Sequence, residues 1–282
     1  MIAHVTAAIL AALAPAQQAD TTFAVDAGGR LEVSQIEGEI SVTGWDRAEM
    51  RVVAHFDEDE GTLDIRQSGG AVHLSAKGEW GEPLYAEFEI TVPRGLALEI
   101  TGVSLEVSVE GAAGDVSVST VEGDISLDGG SGNVALSSVD GMVIVSGASG
   151  NIAVNAVEGD ISVTGSSGAM AVTAVDGDVT LEGITSENVS VNAVDGDLTY
   201  EGTIADGGRY VLSTHDGDLY VTIPDGANAR ISVHTFSGDL DTDFPVELEG
   251  DFGRKRISFT VGSGKALVEL SAFDGTISLK KQ

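Results

Sequence analysis

Between Leu96 and about Thr242 the apolar and polar residues follow a beat that repeats down the chain. In the unit from Gly150 to Ser167, GNIAVNAVEGDISVTGSS, apolar residues fall at positions 3, 5, 8, 12 and 14. Four consecutive 18-residue units start at Leu96, Gly114, Gly132 and Gly150. A fifth from Gly168 takes 19 residues, units from Glu187 and Gly208 take 21 each, and a last from Ala229 fades near Thr242. Position 3 reads Val116, Val134, Ile152, Met170 and Val189, and position 5 reads Val118, Leu136, Val154, Val172 and Val191. Position 12 gives Ile125, Val143, Ile161, Val179 and Leu198, and position 14 gives Leu127, Val145, Val163, Leu181 and Tyr200. The 3/5 and 12/14 spacings have period two and the residues are largely β-branched, so each unit holds two short strands with alternate side chains inward. Position 8 (Val121, Val139, Val157, Val175, Val194) belongs to the same apolar set. Helix is excluded.

A short fixed period marks a solenoid, in which one supersecondary unit buries its apolar side only by stacking on the next. The fold class is therefore all-β, a parallel β-helix of about 18 residues per coil, with two facing parallel sheets about 10 Å apart and irregular β caps at both ends. The right-handed preference of parallel crossovers predicts a right-handed coil. A left-handed hexapeptide coil would place its apolar guide about every six residues, a pattern absent here. Glycines at position 10 (Gly123, Gly141, Gly159, Gly177, Gly196, Gly217, Gly238) and position 16 (Gly111, Gly129, Gly147, Gly165, Gly183, Gly202) fall beside strand ends, where a tight reversal calls for positive φ. No helix follows them, which argues against a phosphate cradle.

Residues 1–16 read as a signal peptide, with an apolar run from Val5 to Leu13 and a small-x-small site at Ala14-Pro15-Ala16, although the n-region has no Lys or Arg. No later stretch approaches the length of apolar chain needed to span a bilayer. Residues 20–282 read as one domain: an N-terminal cap and irregular coils over 29–95, regular repeats over 96–242 and a C-terminal cap over 243–282. Gly29 to Asp46 already matches the template, with Gly38 and Gly44 at positions 10 and 16. Arg47 to Arg94 keeps strand character without the beat, as wider coils or as a small sheet closing one end. Phe244 to Val261 breaks the rhythm with Pro245 and Arg254-Lys255-Arg256, and Leu267 to Leu279 restores it once. The chain has no cysteine, so disulfides, cysteine zinc sites and cysteine lipidation are excluded.

The Val-Asp/Glu-Gly-Asp-Ile/Val/Leu beat, Val-Pro-Arg-Gly at 92–95 and Ile-Glu-Gly-Glu-Ile-Ser-Val-Thr-Gly-Trp at 36–45 resemble the bacterial putative-adhesin β-solenoid family of unknown function. The likeness covers nearly the whole chain after the signal peptide. It implies an exported envelope protein and brings no catalytic residues to carry over.

Charge changes the picture next. Fourteen Lys and Arg face 45 Asp and Glu, a net charge of -31. Between Gly95 and Gly208 there is no basic residue, against 18 carboxylates. Position 9 holds Glu122, Asp140, Glu158, Asp176, Asp195 and Asp216, and position 11 holds Glu106, Asp124, Asp160, Asp178, Asp197, Asp218 and Asp239. A polyanion such as nucleic acid is excluded as a partner. Two readings of the columns stand side by side. One is turn chemistry and solubility, since Asp beside Gly favours tight reversals and edge charge deters association. The other is a weak Ca²⁺ ladder, whose candidate ligands are Asp124, Asp140, Glu158, Asp160, Asp176, Asp178, Asp195, Asp197 and Asp218. The nonapeptide calcium motif itself does not match, because a single Gly precedes Asp160. Asn133, Asn151 and Asn188 suggest amides stacked along the coil axis.

Outward strand positions are small: Ser117, Ala135, Ala153, Ala171 and Ser190 on one face, Ser126, Ile144, Ser162, Thr180 and Thr199 on the other. Such flat faces suit docking of an envelope protein or a glycan. His55, His73, His215 and His234 are scattered, His215 standing at position 8, and no serine has nucleophile-elbow context. The expected function is an exported, non-catalytic, adhesin-like binding or scaffold protein of the periplasm, cell surface or medium, with no cofactor. The alternative is a carbohydrate-active β-helix enzyme acting on envelope or extracellular polysaccharide.

Overall fold

The computed structural model describes residues 18–57, 61–78, 81–245 and 255–282. The expected signal peptide, residues 1–16, and Arg254 lie outside the described residues. Among those described the chain is all-β, without a helix and with parallel pairing dominant. The chain divides into two compact units, Met1–Leu136 and Ser137–Gln282, described in turn.

The first unit contains β1 (Gln18–Ala24), β2 (Arg30–Trp45), β3 (Glu49–Phe56), β4 (Thr62–Ser68), β5 (Ala71–Lys77), β6 (Tyr85–Pro93), β7 (Ala97–Ala112), β8 (Val116–Ser119) and β9 (Ile125–Gly129). β2 runs parallel to β7 along nearly its whole length, from Arg30↔Ala97 to Thr43↔Glu110. The unit recognised at Gly29 therefore stacks on the one that begins at Leu96. On its other edge β2 pairs in parallel with β5 and then with β6. Both expectations for 47–94 have a counterpart: β5 and β6 continue the parallel ladder on β2 with a longer connection, and further strands close it. β6 pairs antiparallel with β3, β3 antiparallel with β1, and β5 antiparallel with β4. These reversals end a parallel ladder whose open edge would otherwise present unpaired N–H and C=O groups. The buried residues alternate along each strand, as in Leu31, Val33, Ile40 and Val42 of β2 and Leu98, Ile100, Leu105, Val107 and Val109 of β7.

β10 (Asn133–Asp140) spans the division. The second unit continues with β11 (Val143–Ser146), β12 (Asn151–Glu158), β13 (Ile161–Thr164), β14 (Ala169–Asp176), β15 (Val179–Ile184), β16 (Asn188–Asp195), β17 (Leu198–Gly202), β18 (Arg209–Asp216) and β19 (Leu219–Ile223). It closes with β20 (Ala229–Thr235), β21 (Leu240–Thr242), β22 (Lys255–Val261), β23 (Ala266–Asp274) and β24 (Ile277–Lys281). Two parallel ladders result. In one, Ile152, Met170, Val189 and Tyr210 stand in register, as do Val154, Val172, Val191 and Leu212. In the other, Val143, Ile161, Val179, Leu198 and Leu219 do so. All of these side chains are buried, and burial of each aliphatic one is worth about 1.5–3 kcal/mol. Tyr200 and Tyr210 meet edge-on at 6.0 Å, and their hydroxyls donate to the carbonyls of Thr203 and Ser186.

The C-terminal order departs from the sequence reading. The Ala229 unit was expected to follow the Gly208 unit on the stack. Instead β18 pairs with β23 and β19 with β24, while β20 and β21 pair with the far edges of β23 and β24. The segment 266–281 is thus inserted between two stretches that precede it in the chain. β22 closes β20 by antiparallel pairing, from Ala229↔Val261 to Thr235↔Lys255.

Candidate functional site: a corner ridge beside the acidic columns

The long strand of each repeat in the second unit ends in the same way. In β12, Ile152, Val154 and Ala156 are buried, and then Val157 and Glu158 are both exposed before Gly159. β14 and β16 repeat this with Val175-Asp176 and Val194-Asp195. Position 8 is therefore not core, which corrects the grouping of these valines with the inward residues. The inward place at the corner is taken by position 7, a column of small residues: Ala156, Ala174, Ala193 and Thr214. At two of these positions a hydroxyl bonds a nearby carbonyl: Thr214 that of Gly196 at 3.3 Å and, in the first unit, Thr120 that of Val103 at 3.0 Å. With the chain turning there, two successive side chains leave the core. The result is an exposed ridge, Val157 (41%), Val175 (41%) and Val194 (48%), preceded by Val139 and continued by His215. Ile36, Val103 and Val121 form the corresponding exposed set of the first unit.

The turn beside the ridge is fixed by glycine for two reasons. Gly177 has φ of 137°, and a Cβ built on it would lie 2.4 Å from the carbonyl oxygen of Gly159 on the neighbouring strand turn. Positive φ is costly for other residues, and the close approach would exclude a side chain even without that cost.

The acidic residues beyond the glycine have a defined task. Asp160 Oδ1 accepts from the backbone N–H of Asp178 at 2.8 Å, Asp178 Oδ1 from that of Asp197 at 2.8 Å, and Asp197 Oδ1 from that of Asp218 at 2.8 Å. Asp218 Oδ1 ends the run by accepting from the N–H of Thr276 at 2.7 Å, and its Oδ2 accepts from the hydroxyl of Tyr220 at 3.1 Å. That bond holds the Tyr220 hydroxyl above its ordinary pKa. Position 11 is thus a ladder in which each carboxylate caps the next turn, a charge-assisted bond stronger than a neutral one. This gives the column a structural role that needs no ion. Asp140, Glu158, Asp176 and Asp195 are exposed along the flank of the ridge, and Asp124 is exposed in the first unit. Among the described residues no three of His, Asp or Glu form a group able to hold a metal ion.

At the C-terminal end the ridge becomes aromatic. His215 stacks on Phe273 at 4.6 Å with 13° between planes, and Phe273 on Phe236 at 4.7 Å with 8°. A depression of about 440 Å³ opens beside them, lined by His234, Phe236, Arg256 and Ser271 among others. His234 Nε2 lies 3.1 Å from Ser232 Oγ, and burial, followed by the Arg256 charge, lowers its pKa. In the first unit the outward face of β2, β6, β7 and β3 carries Glu106, Glu39, Glu87 and His55 in one cross-strand row, beside a depression of about 340 Å³. Sequence reasoning missed both the ridge and this row. The small residue at every position 7 was the available signal for the ridge; the row had none, because 47–94 lacks the beat that assigns a face.

A model of the Toastrack DUF4097 family matches residues 28–280. A crystal structure titled as a putative adhesin from Parabacteroides distasonis ATCC 8503 superposes with a TM-score of 0.51 at 9% identity, covering 94% of this chain and 97% of that one. One titled as a putative lipid binding protein from the same strain gives a TM-score of 0.46 at 11% identity, with 94% and 98% covered. At these identities the likeness concerns the fold. No curated protein matches the chain.

Proposed function

The chain belongs to the Toastrack DUF4097 family, and on that fold we propose an exported, non-catalytic β-solenoid of the cell envelope that serves as an adhesin-like binding scaffold. Its coil is right-handed with about 18 residues per turn, the geometry that the parallel crossover preference favours. The single observation that carries the binding role is the exposed ridge of Val157, Val175 and Val194, which keeps apolar surface in water on an otherwise strongly acidic molecule. Contiguous exposed apolar surface with a polar rim is characteristic of interaction sites. The flat outward faces of small residues add surface on which a partner can lie. Among the described residues no helix is long and apolar enough to cross a membrane.

The test is binding of the purified chain to isolated envelope fragments and to a glycan array. The triple variant Val157→Ser, Val175→Ser, Val194→Ser should lose the signal while keeping its circular dichroism and melting temperature. Undiminished binding by that variant would remove the ridge from the function.

The second reading, a carbohydrate-active β-helix, is favoured by one observation, the row Glu106, Glu39, Glu87 and His55 beside a depression. Incubation with acidic and neutral polysaccharides should yield no reducing ends. Steady product formation abolished by Glu39→Gln or Glu87→Gln would establish the enzyme.

A further inference from the structure

We infer that the valine ridge of the second unit docks a cationic amphipathic helix laid along the stack, an inference that rests on the binding role proposed above and names the chemistry of its partner. The ridge offers one apolar side chain per strand: Val157, Val175 and Val194, with His215 next in line. Neighbouring strands lie about 4.8 Å apart. A helix lying along this line brings one apolar side chain round per turn of about 5.4 Å, so over three steps the two rows drift by roughly 1.8 Å, less than half a step. An extended chain presents same-face side chains about 6.7 Å apart and would be out of step by roughly 5.7 Å over the same distance, more than a whole strand. The spacing selects a helix over a strand.

Charge selects its sign. On one flank of the ridge stand the exposed carboxylates of Glu158, Asp176, Asp195 and Asp216, and on the other the neutral side chains of Asn155, Thr173, Asn192 and Ser213. No Lys or Arg occurs between Gly95 and Gly208 to compete for those carboxylates. A helix with one apolar stripe and Lys or Arg along one side of it satisfies both flanks. A second copy of this chain would set like charge against like charge, which opposes association.

The experiment uses the full chain and a fluorescein-labelled synthetic peptide of Leu and Lys, with Leu on one helical stripe and Lys beside it, read by fluorescence anisotropy. Comparison peptides are a scrambled isomer, a Lys→Gln version and oligolysine. The patterned peptide should bind at least tenfold tighter than each of the three, and 0.5 M NaCl should weaken it strongly. Two variants, Val157→Ser/Val175→Ser/Val194→Ser and Glu158→Gln/Asp176→Asn/Asp195→Asn, should each weaken binding at least tenfold. The control Glu182→Gln/Glu201→Gln, which removes two carboxylates from the other ladder, should bind like the parent. Equal binding of oligolysine or the scrambled peptide would reduce the effect to net charge and overturn the inference, as would unchanged binding by either ridge variant. Sedimentation that shows a dimer split by the valine variant would make the ridge a self-interface and also overturn it. If the peptide fails while the valine variant still loses envelope binding, the helix inference falls alone; if that variant changes neither assay, the binding role falls with it.

Discussion

The irregular strands β1–β6 and the regular strands β11–β19 handle charge in opposite ways. In the irregular region four carboxylates are paired with cations: Asp20 with Arg51, Asp64 with Arg66, Glu32 with Arg30 and His73, and Asp46 with Arg94. The regular strands hold no Lys or Arg before Arg209, and the Asp160–Asp218 column instead accepts backbone N–H groups from the next turn. Both solutions give carboxylates hydrogen-bond donors. The first depends on two side chains meeting across the surface, the second only on a register that repeats. A regular stack can therefore carry a long acidic edge without cations, whereas the irregular region holds four of its carboxylates with them.

The sharpest way to break this contrast is to move one charge by three positions. Val172→Asp places a carboxylate in a buried column with no partner and should destabilise by about 3–5 kcal/mol or more, or prevent folding. Val175→Asp adds a charge to the exposed ridge and should leave the denaturant midpoint nearly unchanged. Equal effects would mean that the ridge is core after all. Gly177→Val should also be severe, since strained φ alone costs about 1–3 kcal/mol before its collision with the Gly159 carbonyl.

The ladder comes next in size. Asp178→Ala leaves the N–H of Asp197 without its acceptor and should cost about 1 kcal/mol; Asp178→Asn retains an oxygen there and should cost less. Asp20→Asn, at an exposed ion pair, should move the melting temperature very little. A larger effect at Asp20 than at Asp178→Ala would reverse the comparison.

A smaller effect is the pH response at His234. Burial and Arg256 lower its folded pKa below the ordinary histidine value of 6.5, so the unfolded chain takes up a proton first and stability falls as pH drops below about 6.5. Urea midpoints for His234→Gln should fall less than the parent's across that window. Parallel pH profiles would show that the imidazole is not resisting protonation.

The smallest effect expected is that of ions. NaCl should stabilise slightly by screening the columns, and CaCl₂ at equal ionic strength should do no more. A calcium-specific rise in melting temperature, lost in Asp160→Asn/Asp178→Asn/Asp197→Asn, would decide for the calcium reading of the columns.

The core was legible because positions 3, 5, 12 and 14 carry period two, and nothing but a strand with one buried face satisfies that pattern. The ridge was not, because valine at position 8 looks the same whether it points inward or outward. Its exposure follows from a corner that forces two adjacent side chains outward, while Ala156, Ala174 and Ala193 fill the narrow inward slot. The insertion of β23 and β24 was also hidden. Repeats alike enough to stack on any neighbour do not specify which neighbour they meet, and Asp216↔Asp274 is as good a match as Asp195↔Asp216. The carboxylate ladder was half visible: the column could be read, but its acceptor role depends on distances between turns.

That insertion sets a timetable for assembly. Within the regular strands each new turn finds its partner 18 to 21 residues back, as Ile161 does with Val143 and Tyr210 with Val189, so the stack can lengthen as the chain leaves the ribosome. The last part cannot. β20 and β21 reach their native places only once residues 266–281 have been made and laid against β18 and β19, across the separation between Asp216 and Asp274. Long-range pairing of this kind is slow because the intervening loop must close first. Until then β18 and β19 present an open edge, and synthesis of the final strands is the step that seals it.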